Sequence, residues 1–463
     1  MEAATAKKAW PPEGTKAEPF VSTRNACKLC APLGASIAFR GIAGCIPLIH
    51  GSQGCPTYIR RYVISHFKEP IDIASSNLSE ESAIFGGGDN LKRALGNLTR
   101  QYQPAVIGIA TTCLTETIGD DVGLYCDQYV KAKAGEAIPV LLHASTPSYR
   151  GTHIEGFHEA VRATVAALAE GGPAQERLNL LPGFLSPEDL RYLKEILADY
   201  GVAYTLLPDT SETLDGESWE EYEKLSAGGT PVPAIRAMGR AKATLRFGIP
   251  PDGQKTAATF LAETFGVPAV NLTMPIGIGA TDRFCAALGE WTGKSLPRKY
   301  AQERGRLVDA YIDGHKYLFG KRAVLYGEAD FVTGLASFLD EIGIAPVLIA
   351  TGAAPGNFRE TVHAVLKNSR ETPEIVEDTD FLTIEEKARR LGAELVIGHS
   401  KGYSVSRKLG IPLVRVGFPI HDRIGGQRIL HVGYRGTQQL FDRIVNTLIE
   451  ASQEASSVGY SYI

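Results

Sequence analysis

Long apolar runs are missing from this sequence: none approaches the roughly 18 residues that cross a bilayer, so no membrane-spanning helix is expected. The first residues, MEAATAKKAWPPEGTKAEP, hold no apolar core of the kind a secretion signal carries. Residues 1–23 therefore read as a loose arm, on a chain expected in the cytoplasm. Neither sign of charge dominates. Lys and Arg number 48 against 52 Asp and Glu, a net of −4, so nothing electrostatic points to nucleic acid or an anionic membrane as partner. Cysteine is scarce, with seven in 463 residues. In a reducing cytoplasm seven thiols make no disulfide framework, which leaves metal ligation or plain burial. Low-complexity tracts and short-period repeats are absent. The composition, 44% hydrophobic and 22% charged, is that of a globular protein, and the length suggests about three domains.

What is there is a rhythm. Short β-rich runs alternate with helix-period stretches: PAVIGIA (104–110), IPVLLHA (138–144), RLNLLPG (177–183), VAYTLLP (202–208) and KATLRFG (242–248). PAVNLTM (268–274), RAVLYG (322–327), APVLIATG (345–352), AELVIGHS (393–400) and IPLVRVG (411–417) continue it. Each run ends in small or turn-forming residues and leads into an amphipathic segment, the pattern of βαβ units with a parallel sheet covered on both faces. The strands are too many for one sheet, so the expected architecture is α/β with repeated doubly wound, Rossmann-like domains. Boundaries are expected near 170 and 300, giving domains at 24–170, 171–300 and 301–436, then a C-terminal helix and tail at 437–463. The acidic, turn-rich stretch 209–231 reads as a solvated surface insertion.

Two nucleotide-like motifs fail. GEWTGKS (289–295) has three residues where a phosphate loop needs four between its first glycine and GK, and Gly293 reads more simply as a helix C-cap. MPIGIGATD (274–282) lacks the third glycine of a dinucleotide fingerprint.

The cysteines are more informative. In CIPLIHGSQGC a strand runs into small residues, then Cys55, then the helix-like PTYIRRYVISHF. PAVIGIATTCLTETIGDDV repeats this with Cys113, ahead of a helix carrying Glu116, Asp120 and Asp121. Cys30 precedes the helix start APLGA. The carboxyl ends of strands are where ligands collect in open α/β sheets, and a helix N-terminus lowers a thiol's pKa towards the metal-binding thiolate. Cys45, Cys126 and Cys285 sit inside apolar or helical segments and read as inert small hydrophobes. Cys27 and Cys30 form a CxxC, a zinc or redox spacing, but no second close pair completes a zinc site. Iron–sulfur ligation by Cys30, Cys55 and Cys113 is a further option. Three thiolates fall short of the usual four-cysteine cluster, which would call for a ligand from a partner chain.

CKLCAPLGA, HGSQGC, SSNLSEESAIFGGGDNL, IATTCLTETIGDD, TPSYRG, VLYGEADFVTGL, IGHSKG and VRVGFPIHDR together resemble the β-type subunit of nitrogenase component 1 and its relatives, from residue 24 to about 436. The resemblance implies three doubly wound α/β domains and a related α-type partner in an α2β2 heterotetramer. It also implies an ATP-dependent iron protein as electron donor, and no catalytic residue in this chain. Cys30, Cys55 and Cys113 match the cysteines that hold an eight-iron P-cluster, an electron relay shared with the α subunit. Ser148 matches a serine that can coordinate the oxidised cluster, although taken alone it reads as a helix N-cap. Phe85 matches an aromatic where the iron protein docks, and Tyr58 lies between that surface and the relay; unaided, both read as core aromatics. His50 reads as a hydrogen-bonded turn residue. Retention of all three cysteines together with scaffold-like wording in NACKLCAPLGASIAFRG resembles the methylthio-alkane reductases, which cleave carbon–sulfur bonds. The alternatives are a dinitrogen-reducing β subunit and the β-type subunit of a cofactor-assembly scaffold, the latter with a simpler 4Fe-4S cluster.

Overall fold

The computed structural model describes residues 25–458 except 222, 249, 251, 252, 254 and 370, so the expected arm at 1–23 lies outside the described residues. Three wholly parallel sheets organise the chain. The first holds β1 (Cys45–His50), β2 (Ala74–Ser75), β3 (Val106–Thr111) and β4 (Val140–Ala144) in the order β2-β1-β3-β4. The second holds β5 (Gln175–Leu181), β6 (Tyr204–Leu206), β7 (Ala241–Phe247) and β8 (Ala269–Leu272), ordered β6-β5-β7-β8. The third holds β9 (Arg322–Gly327), β10 (Ala345–Thr351), β11 (Glu374–Val376), β12 (Leu395–Gly398) and β13 (Leu413–Arg415), ordered β11-β10-β9-β12-β13. The expected three-sheet doubly wound architecture is therefore present. Every quoted run forms a strand, and the central ones, such as β1 and β3, are buried along their whole length because helices cover both faces.

Each sheet has a place where strand order reverses, and in the first it lies between β1 and β3. These two strands pair from Cys45↔Val106 to His50↔Thr111, so they end level. The helices that follow, α2 (Gly54–Phe67, after α1 at Ala31–Arg40) and later α5 (Cys113–Ile118), start from one rim. Between them lie α3 (Glu80–Phe85) and α4 (Gly88–Tyr102); beyond lie α6 (Val122–Ala132) and α7 (His153–Leu168).

Helices α1 and α7 touch backbone to backbone. A Cβ on Gly34 would stand 1.6 Å from the His153 carbonyl oxygen, and one on Gly156 would stand 2.0 Å from that of Ala31. Only glycine permits this approach. It clamps the start of α1 against the start of α7.

Three expectations need correction. The helix after Cys113 is two helices: Gly119, at φ 80°, ends α5, and the Asp121 side chain caps α6, leaving Asp120 in the turn between them. The stretch 209–231 is not wholly solvated, because Thr210, Ser211, Thr213 and Leu214 are buried. The last helix runs Gly433–Ala455, starting before the expected boundary at 437. Gly293 does cap its helix, at φ 67°. Among the described residues no helix is long and apolar enough to cross a membrane.

Candidate metal centre

Cys55 lies in the first turn of α2 and Cys113 opens α5, so both follow the two strands that flank the reversal point. Open α/β sheets bind ligands in that crevice. Cys30 arrives from elsewhere. It is the residue before α1, where Pro32 fixes the helix start, and it forms an isolated bridge with Thr152 in the loop after β4. The His153 amide donates to the Leu29 carbonyl at 3.0 Å, pinning the same segment. Three distant stretches thus bring Cys30, Cys55 and Cys113 to one rim. Each thiol lies within the electrostatic reach of another: Cys55 and Cys113 act on Cys30, and Cys113 acts on Cys55.

Ser148 joins this group. Its amide donates to Cys113 Sγ at 3.2 Å, and its Oγ accepts from the Ala31 amide at 3.1 Å. It is a cap, as its residue type suggests, but of α1 rather than of its own helix; α7 is capped by Thr152.

Burial outweighs the helix ends in setting the thiols. Cys30 is pushed up to about 11, first by burial and then by Cys55 and Cys113, against the pull of the Leu33 amide. Cys55 is also raised, chiefly by burial. The expectation that helix N-termini hold the site thiols down is therefore corrected for these two. Such thiols keep their protons until a metal cation displaces them.

Among the described residues no three His, Cys, Asp or Glu side chains are placed to hold a metal ion. The donors at this rim are thiols with one hydroxyl, a soft set suited to iron–sulfur chemistry. Cys30 and Cys55 are half-buried and Cys113 is exposed, so the group faces outward. A set of sulfurs open on one side fits a cage completed by another chain better than it fits a closed ion site.

The aromatics assigned to docking are both at the surface. Phe85 is 82% exposed and its neighbour Ile84 76%, forming an apolar apex at the end of α3. Tyr58 is 43% exposed, packs against Tyr62 at 4.7 Å between ring centroids, and has a raised phenol pKa, from burial first, with Cys30 among the lesser causes. The unaided reading of both as core aromatics is wrong. His50 is the last residue of β1 and is hydrogen-bonded on both ring nitrogens, at 3.0 Å each, to Ser76 and Asp120.

Cys27 belongs elsewhere. It is buried against Tyr326 and Leu348 of the third sheet, so the CxxC does not make a paired site. Cys45 and Cys285 are buried and Cys126 half-buried, each with its thiol pushed up by burial, as inert cysteines should be.

Fold and rim together define a class: a chain of three parallel-sheet α/β domains that carries three thiols, open on one side, at the reversal point of its first sheet. This chain belongs to the nitrogenase component 1 type oxidoreductase family, whose sequence signature matches residues 30–449. It is similar to the nitrogenase molybdenum-iron protein beta chain of Clostridium pasteurianum, 37% identical over 428 residues, covering 92% of this chain and 93% of that one. It is also similar to the nitrogenase iron-molybdenum cofactor biosynthesis protein NifN of Bradyrhizobium diazoefficiens, 34% identical, covering 93% of this chain and 90% of that one. The solved structure of nitrogenase Cp1 at pH 6.5 superposes with a TM-score of 0.91 at 35% identity, covering 96% of this chain and 98% of its counterpart. The chain is a nitrogenase-type β subunit by sequence and by fold.

Proposed function

We propose that this chain is the electron-relaying β-type subunit of a nitrogenase-like reductase complex. Cys30, Cys55 and Cys113 hold one half of an iron–sulfur P-cluster, and an α-type partner supplies the other half in an α2β2 assembly. The observation that carries this reading is the convergence of those three thiols, with Ser148, on one outward-facing rim. When bound, a cluster of this kind supplies a store that takes and gives electrons without breaking covalent bonds in the protein.

The residues divide the remaining work. The Ser148 amide donates to Cys113 Sγ, which stabilises negative charge on that sulfur and tunes whatever it ligates. Its hydroxyl, now accepting from the Ala31 amide beside Cys30, would serve as an additional ligand. Half-burial of Cys30 and Cys55 keeps water from that side. Phe85 and Ile84 give an ATP-dependent iron protein an apolar foothold, and Tyr58, half-exposed and within electrostatic reach of Cys30, is assigned the path from it to the relay.

For the substrate we propose a methylthio-alkane whose carbon–sulfur bond is cleaved, supported by a full relay set combined with the scaffold-like wording around Cys30. Dinitrogen reduction is the second reading, favoured by the 37% identity to a molybdenum-iron beta chain. A scaffold role is the third, favoured by the 34% identity to the biosynthesis protein. Co-purification with the α-type partner, iron counting and electron paramagnetic resonance decide between relay and scaffold. Eight irons per αβ pair are expected at the interface; four would favour the scaffold. Product analysis with dinitrogen and with a methylthio compound then separates the two reductases.

A further inference from the structure

Asp120 sits in the turn between α5 and α6, and its carboxylate gathers donors from three segments. His50 Nε2 lies 3.0 Å from Oδ2, the Gly87 amide donates to Oδ1 at 3.0 Å, and the Tyr125 hydroxyl donates to Oδ1 at 3.2 Å. The pair is sealed, with the His50 and Asp120 side chains 0% and 2% exposed. Ser76, just past β2, closes the far side: its Oγ lies 3.0 Å from His50 Nδ1 and accepts from the Gly51 amide at 3.0 Å. Burial holds His50 below its usual range. A carboxylate oxygen can only accept, so Nε2–H donates to Asp120 while Nδ1 faces the Ser76 hydroxyl.

The segments that meet here are those the site depends on. Gly87 is two residues from the exposed Phe85. His50 ends β1, five residues before Cys55, and its carbonyl accepts from Thr115 of α5 at 3.1 Å. Asp120 follows α5, which Cys113 opens. The joint has no slack: a Cβ on Gly87 would lie 2.6 Å from Asp120 Oδ2 and 2.8 Å from His50 Cε1. A buried carboxylate tied this way keeps its partners at fixed distance, since each donor lost weakens the compensation of its buried charge.

We propose that Asp120 is a positioning residue that locks the Ile84–Phe85 apex to the strand ends bearing Cys55 and Cys113. A partner protein seated on Phe85 is thereby registered at those sulfurs. This rests on the docking role given to Phe85 above.

The test uses the assembled complex with its iron protein, comparing wild type, Asp120→Asn and Tyr125→Phe. An Asn at 120 turns an NH2 towards donors that now meet oxygen. Tyr125→Phe removes only a peripheral hydroxyl and keeps the fold. In both variants iron content and KM for the iron protein stay within roughly twofold, while kcat falls about tenfold in Asp120→Asn and about threefold in Tyr125→Phe. In wild type, bound iron protein slows hydrogen exchange at 84–88 and also across 111–119. In Asp120→Asn only the 84–88 response survives. Unchanged kcat, with exchange across 111–119 still responding, would overturn the proposal; so would loss of iron from Asp120→Asn, which marks a merely structural part. A KM that ignores Phe85→Ala overturns the docking role instead, so the two failures are told apart.

Discussion

Cys27 and Cys30 stand three residues apart and meet opposite fates, because the two sheet rims they reach are finished differently. The rim of the first sheet stays open, with Cys30, Cys55 and Cys113 facing outward. The rim of the third sheet is plugged by the chain's own segment 26–29. There the Cys27 amide donates to the Thr379 carbonyl at 3.0 Å and Ala26 bridges Asp380. Lys401 Nζ donates to the carbonyls of Ala26 and Lys28 at 2.8 and 3.2 Å. A Cβ on Gly352, just past β10, would stand 2.1 Å from the Cys27 carbonyl oxygen. Burial drives the Cys27 thiol far above its usual range, against the pull of the Gly352 amide, and His399 Nε2 lies 3.9 Å from its sulfur. The same kind of crevice is thus left open to a ligand in the first sheet and made a piece of core in the third, where the chain fills it. Spacing along the sequence does not distinguish the two.

The comparison can be broken most directly at the thiols. Cys113→Ala should abolish reduction and reduce the iron content of the purified complex, while circular dichroism shows the sheets intact; ordinary turnover would refute the role. Next, Gly156→Ala forces a methyl into the α1–α7 contact. It should cost about 3 kcal/mol in a denaturant titration and weaken iron retention, because the contact seats Cys30. A smaller effect separates the rims by pH. His399 is held well below its usual 6.5 by burial, with no carboxylate among the causes, whereas His50 has Asp120 opposing its burial. Below that usual value the unfolded chain takes up a proton at His399 that the folded chain refuses. Stability is therefore full above 6.5 and is lost as pH falls, by at most about 1.4 kcal/mol per pH unit. Hydrogen exchange at pH 7 and pH 5 should show β9 and β12 loosening more than β1 and β3. Smallest, Cys27→Ala should cost on the order of 1 kcal/mol with iron content unchanged. A loss of iron there would erase the distinction between the rims.

Much of the first sheet was legible because buried parallel strands are continuous apolar runs, and CIPLIH and VIGIAT announce themselves. The edge strands β2 and β11 were not, since two or three residues of IDIASS and PEIVE carry no periodicity. Cys55 and Cys113 could be read from the strand–loop–cysteine order. The partners that complete the site could not. Ser148 caps a helix 117 residues away, and Asp120 reads as one more acidic residue on a helix until Gly119 is seen to break it. Phe85 and Tyr58 looked like core by type, and only their exposure says otherwise.

The plug has a consequence for manufacture. One side of Cys30 is held by Thr152, but the residues just before it are seated on Thr379 and Asp380, which leave the ribosome more than three hundred residues later. The anchorage of the segment leading into Cys30 is therefore incomplete on a nascent chain until the third sheet is made. A product truncated before the third sheet would keep the contacts of Cys30 with Thr152 and α7 but lose the seat of residues 26–29.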